Sequence, residues 1–219
     1  MIVTIDGPAG AGKSTVAKML AGRLGFEFLD TGAMYRTVAL ELLRLGGIGQ
    51  AAGLDQWIDG LEMVFEPGRA WLRGEEVTRE IRSSGVTALV STVAEHGQVR
   101  RRLVGIQKAY GKGRSLVTEG RDQGTAVFPF AFCKFFLIAD VNERALRRFR
   151  ELEMQGVAVN LDELAHQITE RDRRDATREI GPMVAAQDAI LIDSTGHSIV
   201  QVVDTLENHV NLRRAHVHD

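Results

Sequence analysis

Gly7-Pro8-Ala9-Gly10-Ala11-Gly12-Lys13-Ser14-Thr15 decides the reading of this chain. The stretch fits G-x-x-x-x-G-K-[ST] and follows Met1-Ile-Val-Thr-Ile-Asp6, a short apolar run rich in β-branched residues. Behind it, Val16-Ala-Lys-Met-Leu20 reads as helix. Strand, glycine loop and helix in that order are the setting in which the motif carries meaning. The glycines let successive backbone N–H groups turn inward around an anion, and the helix start adds free N–H groups and the positive end of its dipole. Gly7 to Thr15 are therefore read as the cradle of a nucleoside triphosphate. Lys13 is a mobile cation for the β- and γ-phosphates, and the Ser14 hydroxyl is a ligand for Mg²⁺.

Further along, the apolar runs Glu27-Phe-Leu-Asp30, Ser115-Leu-Val-Thr118, Lys134 to Ala139 and Ala189-Ile-Leu-Ile192 are short and continuous, and helical sequence separates them. That is the pattern of a parallel sheet covered on both faces, in which ligands bind beyond the carboxyl ends of the strands. Polar residues gather at those ends: Asp6, Asp30-Thr31, Glu119 to Asp122, Asp140 and Asp193. Thr31 to Arg36 reads as loop, with helix following from Thr37 to Leu45. Between about Asp55 and Glu80 brief apolar runs separated by Pro67-Gly68 and Gly74 predict a small antiparallel sheet inserted in the β/α order, with Trp57 and Trp71 in its core. Helices are expected over Ser84–Ala94, Gln98–Tyr110, Asp140 to Gln155, Leu161–Asp175 and Ser198–Val210, with a frayed tail from Arg213.

A length of 219 residues favours one core with insertions, and 44 % hydrophobic residues suffice to fill it. The formal net charge of -2 makes no bulk case for nucleic acid or membrane as partner. A single cysteine, Cys133, excludes an internal disulfide framework and suits a reducing cytoplasm; it reads as a packing residue at a strand edge. The start of the chain shows no basic and apolar leader, so no signal peptide is expected. A cytoplasmic monomer is expected, since nothing in the sequence demands an interface.

Two further constellations carry charge. Glu119 closes a buried strand and reads either as the acid holding the water shell of Mg²⁺ or as a carboxylate capping its own loop. Arg121 beside it supplies a permanently charged planar fork for phosphoryl oxygens. In Glu170-Arg-Asp-Arg-Arg-Asp-Ala-Thr-Arg178, residues Arg171, Arg174, Asp175 and Arg178 share one helical stripe. Like charges on one stripe repel unless an anion lies against them, which argues for a phosphate-facing segment over a merely solvated helix. Arg100-Arg101-Arg102 points in several directions and, as a run, reads as a solvated face. The histidines form no metal set.

Together, Asp30-Thr-Gly-Ala-Met-Tyr-Arg36, Glu119-Gly-Arg-Asp-Gln-Gly-Thr125 and Glu170-Arg-Asp-Arg-Arg-Asp175 resemble the bacterial cytidylate kinases over essentially the whole chain. The resemblance implies a P-loop fold of three α/β/α layers with a five-stranded parallel sheet, a monophosphate-binding insertion over about 31–110 and a lid over about 151–180. It implies ATP-dependent phosphorylation of CMP and dCMP, with Mg²⁺. By position, Arg36 and Arg121 clamp the CMP phosphate. Thr31, Arg100, Asp122 and Arg178 read the cytosine edge, and Tyr35 belongs to the same substrate site. Ser91, Arg171 and Asp175 meet the pentose. Lys13 and the lid arginines, Arg171 among them, act on the transferring phosphoryl group, and Ser14 with Glu119, through water, holds the metal. A P-loop kinase for another small acceptor is the alternative. A GTPase-like switch would need N-K-x-D, which the chain lacks.

Overall fold

The structure, a computed structural model, describes residues 1–47, 54–66, 68–154 and 156–216. Pro67 of the expected turn, the helix end at Gln155 and the end of the tail lie outside them. The chain divides into two compact units, Met1–Phe28 with Gly113–Asp219, and Leu29–Lys112.

β1 (Ile2–Asp6) lies at the centre of a five-stranded sheet of order β2-β6-β1-β7-β8. The partners are β2 (Glu27–Asp30), β6 (Leu116–Gly120), β7 (Cys133–Ile138) and β8 (Ile190–Asp193). β1 pairs in parallel with β6 and β7, and β7 with β8, so the α/β parallel-sheet class read from the sequence is the one found. On one face, Val3, Ile5, Val117, Phe135 and Leu137 pack against Val16, Ala17 and Leu20 of α1 (Lys13–Leu24) and Val202, Val203, Leu206 and Val210 of α8 (Ile199–Ala215). The apolar positions of both helices recur every three to four residues, so each helix turns one stripe to the sheet. Register places Asp6 beside Gly120 and beside Phe136. The phosphate loop and the Arg121–Asp122 turn thereby leave the sheet from adjacent strand ends. α6 (Val141–Met154) and α7 (Leu161–Thr177) form a pair seamed by Ala145, Leu164 and Ile168.

The second unit holds α2 (Thr31–Arg44), α3 (Leu54–Asp59), α4 (Ser84–Glu95), α5 (Gly97–Gly111) and an antiparallel sheet of β3 (Met63–Glu66), β4 (Arg69–Leu72) and β5 (Glu75–Glu76). Met34, Val38, Leu42, Ile58, Leu72, Ile81, Val86 and Leu103 are among its buried residues.

Several boundaries differ from expectation. α2 begins at Thr31, six positions before the expected start at Thr37, because Asp30 Oδ1 accepts the Ala33 N–H at 2.9 Å and caps the helix. Trp57 and Trp71 are only half-buried, and Ile58, Ala70 and Leu72 fill the places expected of them. Cys133 is buried as a packing residue, but it starts β7, which lies between β1 and β8 and is not an edge strand. The helix α8 runs on to Ala215 instead of fraying from Arg213: the Arg213 and Arg214 guanidiniums lie 5.7 and 5.0 Å from the ring centres of Phe132 and Phe26. No described helix is long and apolar enough to cross a membrane.

Candidate active site

The phosphate loop is pressed into the sheet. A Cβ on Gly7, whose φ is +141°, would stand 2.0 Å from the Leu137 carbonyl oxygen, so this position accepts no side chain. Gly7, Pro8, Ala9 and Ala11 are buried, while Gly10, Ser14 and Thr15 are exposed. No side chain caps the start of α1, so its first N–H groups remain directed at the loop. Lys13 is buried and donates from Nζ to the Pro8 carbonyl at 2.7 Å. Burial, reinforced by the Arg121 guanidinium, pushes its pKa down to about 7 against the pull of Glu119. The Ser14 hydroxyl donates to Glu119 Oε1 at 2.9 Å. The pair expected to attend the metal is thus adjacent, with Glu119 inside β6 and not in the loop after it.

Asp6 organises the neighbouring turn. Its carboxylate accepts the Gln123 N–H at 2.8 Å and the Gly124 N–H at 2.7 Å, winding Gln123–Val127 into a π-type turn behind Arg121 and Asp122. Burial raises Asp6 to about 6, although both N–H groups oppose the shift. Arg121 Nε donates to Asp175 Oδ2 at 2.7 Å. Burial works against the Arg121 charge, but Asp175 outweighs it and moves the guanidinium pKa up. Asp175, although desolvated, is held below the usual carboxylate range by Arg121, Arg171 and Arg178. Arg178 lies 3.6 Å from both Asp122 and Asp175. Arg171, Asp175 and Arg178, three of the four residues of the helical stripe, therefore converge with Arg121 and Asp122. Arg174 of that stripe is exposed.

In the second unit, Arg36 donates from Nη1 to the Thr87 hydroxyl at 2.8 Å and to the Ile81 carbonyl at 3.2 Å. Arg100 lies with Cζ 5.9 Å from the centre of the Tyr35 ring. It is 2 % exposed, which corrects the reading of Arg100 to Arg102 as a solvated run. Thr31 is buried in the first turn of α2, one helical turn from Tyr35; Ser91, in the middle of α4, is half-buried and stands outside these contacts.

The model of the family described as cytidylate kinase matches residues 3–212. The chain belongs to the cytidylate kinase family. A protein of Geobacter sp. (strain M21) named cytidylate kinase is 44 % identical over 220 residues, covering 98 % of this chain and 94 % of its own. One of Pelotomaculum thermopropionicum with the same name is 45 % identical and covers 97 % and 96 %. A Synechococcus sp. (strain CC9311) protein named bifunctional pantoate ligase/cytidylate kinase is 50 % identical over 94 % of this chain, which spans 43 % of that protein's length. A solved shikimate kinase of Bacteroides thetaiotaomicron (TM-score 0.52, 15 % identity, 96 % and 98 % covered) and a gluconokinase of Sinorhizobium meliloti (0.52, 13 %, 99 % and 94 %) share the fold. Within this cytidylate kinase family chain, sequence reasoning missed Asp6, Arg144, Asp172 and Thr87 as partners of site groups. Asp6 was visible as an acid at a strand end; the others become partners only when helices pack.

Proposed function

We propose that the chain transfers the terminal phosphoryl group of ATP to CMP and dCMP, giving ADP and the diphosphates. The observation that carries this reading is the buried Lys13 in a phosphate loop, within the electrostatic reach of Arg121 and Arg171. Phosphoryl transfer asks little covalent chemistry of a protein, so charge neutralisation and alignment are the tasks, and no general base is assigned. Lys13 follows the transferring group; Arg121 and Arg171 face the charge spread over its oxygens; Arg121 and Arg36 hold the acceptor phosphate. Asp122, with Thr31, Arg100 and Arg178, reads cytosine: a carboxylate accepts from the 4-amino group and repels the carbonyl that uracil has in its place. Ser91 and Asp175 serve the pentose, and Tyr35 the same acceptor site.

Ser14 and Glu119 present hard oxygen donors 2.9 Å apart. Among the described residues no three His, Cys, Asp or Glu gather as a cage. Those donors suit Mg²⁺, which takes one or two protein oxygens and completes its shell with phosphates and water. When bound, Mg²⁺ supplies charge neutralisation on the β- and γ-oxygens. We assign residues 31–110 to a monophosphate-binding insertion and 151–180 to a lid of one kinase domain, acting as a cytoplasmic monomer.

ADP release measured with Mg²⁺–ATP against CMP, dCMP, UMP, AMP, GMP and shikimate tests the reading. Fast turnover is expected with CMP and dCMP alone, and Asp122→Ala should narrow the CMP-to-UMP ratio. Turnover confined to another acceptor, or an unchanged ratio, defeats the cytosine assignment.

A further inference from the structure

The apolar seam of α7 runs through Leu164 and Ile168, and the next position on the same stripe is Asp172. There the seam turns polar. Asp172 Oδ1 accepts the Ala9 N–H of the phosphate loop at 2.9 Å, and its Oδ2 is paired with Arg144 Nη1. Arg144, on the first turn of α6, donates from the same Nη1 to the Ala9 carbonyl at 2.9 Å and from Nε to the Ala139 carbonyl at 2.9 Å. Both polar groups of Ala9 are therefore held by side chains, one from each helix of the α6–α7 pair. Gly10 passes so close that an added Cβ would meet Arg144 Cβ at 3.1 Å. The two side chains are 9 % and 16 % exposed, so the contacts are made largely out of water.

We propose that Asp172 and Arg144 are positioning residues that lock the shoulder of the phosphate loop in its anion-accepting shape and tie that shape to α7. The proposal rests on the phosphoryl-transfer reading above and adds to it two residues outside the phosphate contacts. The Ala9 amide is committed to a protein carboxylate, which leaves the amides from Gly10 onward for the triphosphate. The same helix presents Arg171 one residue before Asp172 and Asp175 three residues after it. Loop and charged stripe are thus held in register. A carboxylate within a phosphate loop is otherwise unfavourable for a polyanion, and its pairing with Arg144 cancels that cost.

The sign of the effect separates positioning from charge. If Asp172 contributes only its charge, removing it tightens ATP binding, because a negative group leaves the neighbourhood of a polyphosphate. If it holds the loop, removing it loosens ATP binding despite the gain of positive charge. The experiment titrates Mg²⁺–ATP by competition with a fluorescent ATP analogue and measures KM and kcat for ATP and CMP, on variants whose circular dichroism matches wild type. Asp172→Ala is expected to loosen ATP about tenfold, the scale of one hydrogen bond to a charged acceptor. Asp172→Asn keeps an acceptor for Ala9 and should lose less. Arg144→Lys cannot span both carbonyls and the carboxylate, and should follow Asp172→Ala. The CMP KM should move by under about threefold throughout, and Arg173→Ala, exposed on the same helix, should change nothing. Unchanged or tighter ATP binding, or equal loosening of ATP and CMP, overturns the proposal. If Asp172→Ala does not fold, Asp172→Asn and Arg144→Lys decide by the same criteria. A wild-type protein that binds ATP and phosphorylates no CMP defeats the catalytic reading, while the clamp still stands or falls on ATP affinity.

Discussion

Asp6 and Lys13 show how burial next to an anion cradle sets protonation. Both states of the Asp6 carboxyl offer two oxygens to the Gln123 and Gly124 amides. Asparagine offers one oxygen and turns an NH₂ toward the other donor. Asp6→Asn should therefore cost about 1–3 kcal/mol of stability and lower kcat by displacing Arg121. Because folding raises the Asp6 pKa from the ordinary aspartate value of 3.8 to about 6, the folded chain retains a proton over that window that the unfolded chain has lost. Stability from this group rises as pH falls through that window and is lost above it. Urea melts at pH 5 and pH 7 should show a larger wild-type advantage over Asp6→Asn at pH 5. Lys13, near 7 when its neighbours are Arg121 and Arg171, is largely neutral at pH 8. A bound triphosphate restores its charge, so ATP binding at pH 8 should take up close to one proton and at pH 6 almost none. Calorimetric titration in buffers of different ionisation heat reads this number directly, and equal uptake at the two pH values would refute it.

Helix starts and seams set where the site groups sit. Asp30 ends β2 and caps α2, and the same carboxylate reaches Arg82 at 3.2 Å. Without that cap, the glycine and β-branched residue of Thr31-Gly32 favour the loop that the sequence suggests. Its presence places Thr31 and Tyr35 on one face of a helix. Asp30→Ala should cost about 1 kcal/mol in chemical denaturation. Asp30→Asn should be near neutral, because it keeps the cap and loses only a pair whose arginine is 63 % exposed. The α6–α7 seam acts in the same way: the buried residues Ala145, Leu164 and Ile168 align a stripe whose continuation is charged.

For the molecule as a whole, a net charge of -2 hides a local concentration of cations around the loop. Anion binding is a property of that cluster and not of the overall field. Since the cradle exists only in the folded chain, ATP at a hundredfold excess over its Kd should add about 2.7 kcal/mol to stability. For a chain of this size that is an increase in Tm of roughly 5–11 °C. Scanning calorimetry with and without Mg²⁺–ATP tests it, and an unshifted Tm would count against triphosphate binding.

Much of this was legible in one dimension. A phosphate loop is local: its glycines, lysine and hydroxyl lie close together in sequence, a β-branched apolar run precedes it and helical sequence follows it. Continuous apolar strands separated by helices specified a parallel sheet, and spacing on α7 brought Arg171, Asp175 and Arg178 to one stripe without knowledge of any partner. What could not be read was pairing across distance. Asp6 and Gly124, Ala9 with Arg144 and Asp172, and Arg36 with Thr87 are separated by 118, 135, 163 and 51 positions. A carboxylate or guanidinium in the sequence looks the same whether it is solvated or buried against a backbone amide. Packing makes the difference, because burial removes water as the alternative partner and leaves each polar group the neighbours that the fold supplies.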